Sequence, residues 1–192
     1  MNIKPLQMYT ILKLLLLNIP LLCYYNRKLS LIILAVLFVL LFMFRSAKFS
    51  DKLPADKTRK KYFFFFLPVG EKETGELLYL VTSLFVIVKF FEQDIAVFSI
   101  SIVLVYKFVS AVFNLFARVR IRGTTLEGTV AGTIAVYFTG CYLCSLLGLD
   151  KNIAVSSAAA VPIIELIVSW PDKNFSLPFL IAVTAQFVKN SF

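Results

Sequence analysis

Long apolar runs are the feature that most limits how this chain can fold. Seven of them follow one another, separated by short polar or basic stretches, at about 8–25, 29–44, 77–91, 95–117, 129–149, 153–169 and 177–190. Hydrophobic residues make up 59% of the 192 residues, whereas a soluble domain holds roughly 45–50%. A helix that crosses a bilayer needs about 20 mostly apolar residues. The pattern therefore predicts an all-α protein, a polytopic membrane helix bundle with six to seven transmembrane helices.

The same runs argue against a β-barrel and against several domains. Backbone polar groups cannot stay unpaired in lipid, and the strict alternation of a barrel strand is absent from the runs. We therefore expect residues 1–192 to form a single transmembrane domain. Six spans remain an alternative to seven, because 29–44 and 77–91 are short and the last run contains Gln186 and Lys189.

The basic residues set the expected orientation. Lys and Arg number 20 against 11 Asp and Glu, and they concentrate between the apolar runs, so we expect no nucleic-acid partner. We predict an integral, multi-pass protein. Its N-terminus, a basic cytoplasmic or interfacial loop at 45–76, and the loops 118–128 and 170–176 should face the cytoplasm. Arg27 and Lys28 would then be the exception, on the opposite side.

Histidine is absent, which excludes imidazole acid–base chemistry and histidine metal ligation. Cys23, Cys141 and Cys144 all lie within apolar runs. Cys141 and Cys144 have C-x-x-C spacing, but no second pair accompanies them. We expect a packing role, because a buried free cysteine behaves as a small hydrophobe, with a redox or metal role as the alternative.

The segment between the fourth and fifth runs has the outline of a phosphate site. Arginines, glycines, threonines and a carboxylate lead directly into an apolar helix there: Arg118, Arg120, Arg122, Gly123, Thr125, Glu127, Gly128 and Thr129. Glycines let the backbone approach a ligand, helix N-termini favour anions, and arginines bind phosphate oxygens. The alternative is a basic loop in which Thr125 only caps the following helix.

Glu165 is an ionisable residue within an apolar run. Glu165 interrupts the run 153–169, and a polar loop then leads to Pro178, which we expect to start the last span. Ionisable groups within spans are costly and indicate function, although a Glu165 that reaches the membrane surface is an alternative.

Two segments carry a resemblance to a known family. GTTLEGTVAG (123–132) and ELIVSWPDKNFSLPFL (165–180) resemble two motifs of the CTP-dependent polyprenol kinases, which include dolichol kinase, phytol kinase and CTP-dependent diacylglycerol kinases. The similar region covers 95–190. The resemblance implies phosphoryl transfer from CTP, with Mg²⁺, to the hydroxyl of a membrane lipid. The implied partners are the nucleotide and the lipid.

The resemblance also implies roles for individual residues. The implied catalytic residues are Glu127, Glu165 and Asp172, and Glu127 would also hold the metal. The implied nucleotide-binding residues are Arg118, Arg120, Arg122, Gly123, Thr125, Gly128, Thr129 and Asn174. Pro178 belongs to the second motif, and Lys107 and Asn114 lie in the span that precedes the first.

Two departures from the family pattern keep other functions open. Thr124 replaces the lysine of the first motif, and the stretch from Val105 to Asn114 lacks the family's Gly-Asp-[AG]. Lys107, inside that stretch, needs a partner such as Glu127 or Glu165, or must reach the membrane surface. The alternative is therefore a catalytically inactive relative that binds lipid or protein. CDP-lipid synthesis and small-solute transport rank lower, and the sequence leaves the acceptor and the oligomeric state open.

Overall fold

The structure, a computed structural model, describes residues 16, 18–50, 71–114, 120–121, 124–168 and 172–191. Within these ranges lie seven helices: α1 (Ile19–Tyr25), α2 (Arg27–Ser50), α3 (Glu71–Phe90), α4 (Gln93–Asn114), α5 (Leu126–Leu147), α6 (Lys151–Ile167) and α7 (Lys173–Ser191). Two two-residue strands, β1 (Arg120–Ile121) and β2 (Thr124–Thr125), pair antiparallel between α4 and α5. The all-α class is confirmed.

The helices on either side of the predicted loop 45–76 extend into it. Helix α2 continues to Ser50, and α3 already begins at Glu71, six residues before the apolar run. Residues 51–70, the remainder of that predicted loop, lie outside the described residues.

Pro178 does not start the last helix. Helix α7 begins at Lys173, because Asp172 receives the first backbone donors of the helix. The Asn174 N–H donates to the Asp172 carboxylate at 2.7 Å, and the Ser176 N–H donates to the Asp172 carbonyl at 2.9 Å. Pro178 follows within the second turn, where its missing N–H deprives the Asn174 carbonyl of its usual helical donor. The sequence pattern correctly predicted that Pro178 lies near the start of a helix, but it did not identify Asp172 as the N-cap residue.

The helices run alternately up and down and share two apolar cores. One core joins α1, α2 and α3 to the first half of α4 and includes Leu34, Leu84 and Ile100. The other joins α4 to α5, α6 and α7 and includes Phe98 and Ile153. Helix α4 contributes several residues to both cores, and α7 reaches the first core through Ala182, so these two helices connect the two halves of the bundle.

Helix α5 has a buried face of small residues. Gly128, Gly132, Val136, Gly140 and Cys144, spaced four apart, are all buried. A Cβ on Gly140 would lie 3.0 Å from the Ala154 Cβ of α6. Small residues on one face let helix backbones approach closely, which is common between membrane helices.

The opposite face of α5 is apolar and exposed. It consists of residues four apart: Leu126, Val130, Ile134, Phe138, Tyr142 and Leu146, between 44% and 67% exposed. At 1.5 Å per residue the stripe is about 30 Å long, which equals the thickness of a bilayer's hydrocarbon core. Among the described helices, α4 and α5 are long and apolar enough to cross a membrane, judged by length and composition.

Arg27, the exception to the predicted orientation, has a structural role. Its guanidinium donates to the carbonyls of Val88 at 2.8 Å, Lys89 at 3.0 Å and Phe91 at 2.8 Å, at the end of α3. These carbonyls have no partner within the helix itself. In return, the Gln93 side chain donates to the Cys23 and Tyr24 carbonyls at the end of α1. The α1–α2 junction and the α3–α4 turn therefore cap each other.

Replacing Arg27 with methionine should lower the free energy of unfolding by about 2 kcal/mol, because a charged donor to partly buried carbonyls is lost. Thermal unfolding of the purified protein in detergent measures the change. Lys28→Met is the matched control, since Lys28 is the exposed neighbour and should change stability by less than about 0.5 kcal/mol. Equal effects of the two substitutions would contradict the capping role.

Candidate functional site

Four helix ends meet at one end of the bundle: the C-terminal ends of α4 and α6 and the N-terminal ends of α5 and α7. We call this group the polar end and define it by the residues Lys107, Asn114, Glu127, Glu165 and Asn174. The loops that contain the two predicted motifs therefore lie at the same end, as a single site requires. The α3–α4 turn and the α6 start at Lys151 lie at the other end.

Thr125 organises the start of α5. Its backbone is extended (φ −101°, ψ 138°), and its hydroxyl accepts the Gly128 N–H at 3.2 Å. The hydroxyl also donates to the Asn114 side-chain oxygen, which ties α4 to α5. The Thr129 hydroxyl donates to the Thr125 carbonyl at 3.0 Å. The predicted N-cap is confirmed, and it accounts for Thr125 without a ligand.

Gly128 is needed for close packing. A Cβ at this position would lie 2.6 Å from the Thr125 Oγ1 and 3.0 Å from the Ser110 Oγ. Such separations do not occur for real side chains, so a larger residue would push α4 and α5 apart at the polar end. Asn114 also contacts Gly128 at this point, which gives it a packing role together with its hydrogen bond to Thr125.

Glu127 occupies the first turn of α5 and is half-buried. The helix dipole favours a carboxylate there. Glu127 also lines a groove of about 700 Å³ on the outer surface of α4 and α5. The other lining residues include Phe113 of α4 and Val130, Ala131, Ile134 and Ala135 of α5. Among the described lining residues, Glu127 is the one with a charged side chain.

The second motif is held mainly by its own polar contacts. The Glu165 side chain is 14% exposed, and its Oε1 lies 3.9 Å from the Lys173 Nζ, a long ion pair. Asp172 caps α7, as described above. The Asn174 side-chain oxygen accepts a hydrogen bond from the Lys107 Nζ of α4. Lys107 therefore has an amide acceptor in the second motif, and a carboxylate partner for it stays a prediction.

Tyr106, next to Lys107, is a residue that the sequence analysis missed. Its side chain is 2% exposed, and a Cβ on Gly132 would lie 2.5 Å from its ring. Its hydroxyl faces Thr129 and Ser110 and lies within electrostatic reach of Glu165. Among the described residues, that hydroxyl completes no hydrogen bond of standard geometry. Tyr106 and Lys107 thus place α4 between the first and second motifs.

Part of the predicted nucleotide loop is not described. Arg118, Arg122 and Gly123 lie outside the described residues, and only the backbone of Arg120 is described, opposite Thr125 in the β1–β2 pair. The proposed phosphate contacts of the three arginines therefore stay predictions. The cysteines are free, and Cys23 and Cys144 are buried. This agrees with the predicted packing role.

The acidic residues of the polar end could supply only a few of the ligands of a Mg²⁺ ion. Within the described ranges, no three His, Cys, Asp or Glu residues come together in a way that would hold a metal ion. Mg²⁺ commonly takes one or two carboxylates, with substrate phosphates and water completing its octahedron. Glu127 could supply such a carboxylate, and the phosphates would have to supply most of the rest.

The comparisons with known proteins give no assignment. The chain matches no protein-family model, no curated protein and no solved structure.

Proposed function

We propose that the chain is an integral membrane protein whose helices cross the bilayer several times. The support is the outward face of α5, which is apolar over about 30 Å while its inward face is made of small residues. A soluble monomer rarely exposes a contiguous apolar surface of this extent. Large exposed side chains also follow one face of α2, including Ile32, Val36 and Met43.

In this membrane setting, the polar end is a phosphotransferase site that moves the terminal phosphoryl group of CTP to the hydroxyl of a membrane lipid. The observation that supports this proposal is the position of α4. Asn114 of α4 accepts from Thr125 of the first motif, and Lys107 donates to Asn174 of the second. Two sequence segments that resemble kinase motifs, at 123–132 and 165–180, thereby reach one helix and one end of the bundle.

The residues present suit such a transfer. Phosphoryl transfer needs little covalent chemistry from the protein and depends on positioning and on neutralising charge. Lys107 and Lys173 would bring positive charge to phosphate oxygens, and the sequence supplies further positive charge in the 118–122 segment. In this proposal the Glu127 carboxylate would receive the proton of the lipid hydroxyl or take part in binding Mg²⁺. The bound ion would supply charge neutralisation on the transferred phosphoryl group.

The second candidate is a non-catalytic membrane protein that binds lipid or another protein through the same end. One specific observation favours it: Thr125, Asp172 and Asn174 each have a structural partner that accounts for them. Caps and interhelical hydrogen bonds would keep these residues in place after catalysis was lost. The family motif has a lysine where this chain has Thr124, and this difference also favours a non-catalytic protein.

Transfer of label from γ-labelled CTP separates the two candidates. Purified protein in detergent should label one lipid from a panel of polyprenols, phytol and diacylglycerol, with Mg²⁺ and with ATP run in parallel. Glu127→Gln should lower transfer by about 10²-fold or more, because it removes a charge at the reacting centre. Glu76→Gln is the control, since Glu76 lies at the same end on α3 but outside both motifs.

Absence of transfer with either nucleotide, from protein shown to be folded by its cooperative unfolding, would reject the kinase and leave the binding protein. An equal loss of phosphoryl transfer in Glu127→Gln and Glu76→Gln would reject the catalytic role of Glu127 but not the kinase activity itself.

A further inference from the structure

The end of the bundle opposite the polar end has an exposed patch of aromatic rings and lysines. We call it the aromatic–lysine patch and define it by Tyr24, Tyr25, Lys28, Lys89 and Phe90. All five residues are exposed, and Tyr25 and Phe90 are the most open, at 77% and 74%. Neither the packing of the bundle nor the proposed phosphoryl transfer gives these side chains a role.

Arg27 and Gln93 hold the patch together. Arg27 donates to the Lys89 carbonyl at 3.0 Å, and Gln93 donates to the Tyr24 carbonyl at 2.7 Å. Lys28 directly follows Arg27 in the first turn of α2. The last turn of α1, the first turn of α2 and the last turn of α3 therefore meet at this end of the bundle.

The charge of the patch is positive. Within the described parts of the chain, neither Lys28 nor Lys89 takes part in an ion pair. The carboxylates of the adjoining turn, Glu92 and Asp94, are bound by Lys189 instead. The patch therefore carries two ammonium groups whose charge an anionic ligand can neutralise.

The surface that continues from Lys28 along α2 is apolar. Ile32, Val36 and Leu40 follow Lys28 at intervals of four residues, and they are between 49% and 60% exposed. Residues four apart are neighbours on one face of a helix, so Lys28 lies at the end of an apolar stripe. From Lys28 to Leu40 the stripe is about 18 Å long at the helical rise, slightly more than half of the roughly 30 Å hydrocarbon core. One leaflet's acyl chain could lie along it.

This combination fits an anionic phospholipid better than a soluble anion or an acidic peptide. A phospholipid places its phosphate at the membrane surface and its acyl chains beside the helices below. Tyrosine is enriched at the level of the head groups, and lysines close to the surface attract anionic lipids. A soluble anion would use the two lysines but would leave the exposed rings and the stripe of α2 without an apolar partner.

We infer that the aromatic–lysine patch binds the head group of an anionic phospholipid, with the phosphate beside Lys28 and Lys89 and one acyl chain along the stripe of α2. The inference rests on the membrane part of the proposed function and not on phosphoryl transfer. Because this lipid is bound at the end opposite the polar end, it is not the phosphoryl acceptor. The inference also gives a role to Lys28, an exception to the predicted orientation.

Native mass spectrometry of the full chain in detergent measures lipid binding directly. The protein is titrated with dioleoylphosphatidylglycerol and, in parallel, with dioleoylphosphatidylcholine, which has the same acyl chains but no net charge. Glycerol 3-phosphate tests whether a head group without chains binds equally well. The variants are Lys28→Gln and Lys89→Gln. Lys151→Gln is the matched control, because Lys151 is an exposed lysine at the same end, at the start of α6.

The expected result is that the first phosphatidylglycerol binds about tenfold or more tightly than phosphatidylcholine. Lys28→Gln and Lys89→Gln should each weaken its binding about fivefold, whereas Lys151→Gln should leave it unchanged. Equal binding of the two lipids, an equal loss in all three variants, or equally tight binding of glycerol 3-phosphate would overturn the inference.

The same preparation separates this inference from the proposed function. A preference for phosphatidylglycerol without any phosphoryl transfer would keep the lipid site and reject only the kinase. Equal binding of the two lipids by a protein that needs detergent to stay in solution would reject the lipid site and keep the membrane proposal. A chain that stays monodisperse without detergent would overturn the membrane proposal and the lipid site with it.

Discussion

Replacement of Phe138 by aspartate should strongly reduce the insertion of α5 into the bilayer. Phe138 lies near the middle of α5 and is 67% exposed on its outward apolar face. If that face meets lipid, an aspartate at the centre of the span costs roughly 2.5–3.5 kcal/mol on the insertion scale. Aspartate is chosen because its short side chain cannot reach the membrane surface as lysine does.

If the outward face of α5 met water instead, the substitution would have little effect. Replacing an exposed phenylalanine by aspartate on the surface of a soluble protein changes its stability by about 0.5 kcal/mol or less. Leu146→Asp is the matched control. Leu146 is on the same face and similarly exposed, but it lies in the last turn of α5, where a charge would be close to the membrane surface and would cost less. Membrane insertion is measured by carbonate extraction and by a glycosylation reporter. Absence of α5 from the bilayer in the unsubstituted protein, or equal insertion of the two variants, would reject the proposal that the outward face of α5 meets lipid.

Replacement of Gly132 by alanine should destabilise the protein by about 3 kcal/mol, near the upper end for overpacking a core. The added methyl group would lie 2.5 Å from one carbon of the Tyr106 ring and 2.6 Å from another. Tyr106 is buried and cannot rotate away without displacing α4 from α5. The measurement is the midpoint of thermal unfolding in detergent.

Gly75→Ala is the matched control, because Gly75 also lies within a helix but has only ordinary contacts, the nearest being the Arg45 guanidinium at 3.6 Å. The same substitution there should stabilise the protein by about 0.5–1 kcal/mol, since alanine favours the helix. In a double-mutant cycle, Tyr106→Ala should recover most of the loss caused by Gly132→Ala. Additive effects of the two substitutions would show that the Gly132–Tyr106 contact does not limit the packing.

Apolar runs were sufficient to predict the helices, since each of the seven runs contains a helix or part of one. Helix ends were less predictable. Helix α3 starts with the charged residues Glu71, Lys72 and Glu73. A prediction based on hydropathy ends the apolar span before such residues, although the helix continues through them. The run at 8–25 is described only for Leu16 and residues 18–25, so most of the first predicted span stays a prediction.

The site was predictable where its signal is local. Thr125 as a cap follows from its position before an apolar helix, and the structure confirms it. Asp172 carries a comparable local signal, an acidic residue before a helix, yet it was interpreted as catalytic only. Tyr106 could not be recognised, because a tyrosine in an apolar run is ordinary and its neighbours Gly132 and Glu165 are distant in sequence. The capping role of Arg27 could not be recognised for the same reason, because the carbonyls that accept its hydrogen bonds lie 61 to 64 residues away in sequence.

The α3–α4 turn also ties down the last helix. Lys189 of α7 binds Glu92 at 2.6 Å and Asp94 at 2.5 Å, and Gln186 donates to Glu92. Hydrogen bonds from Lys189 and Gln186 hold the pKa of the Glu92 carboxyl below its usual value. During synthesis, the turn emerges with two carboxylates whose cation follows 97 residues after Glu92. At 5–20 residues per second the ribosome needs roughly 5–20 s to supply it. During that interval the hydrogen bonds of Arg27 and Gln93, together with the apolar core of the early helices, hold this end, so the earliest helices form the scaffold on which the later ones assemble.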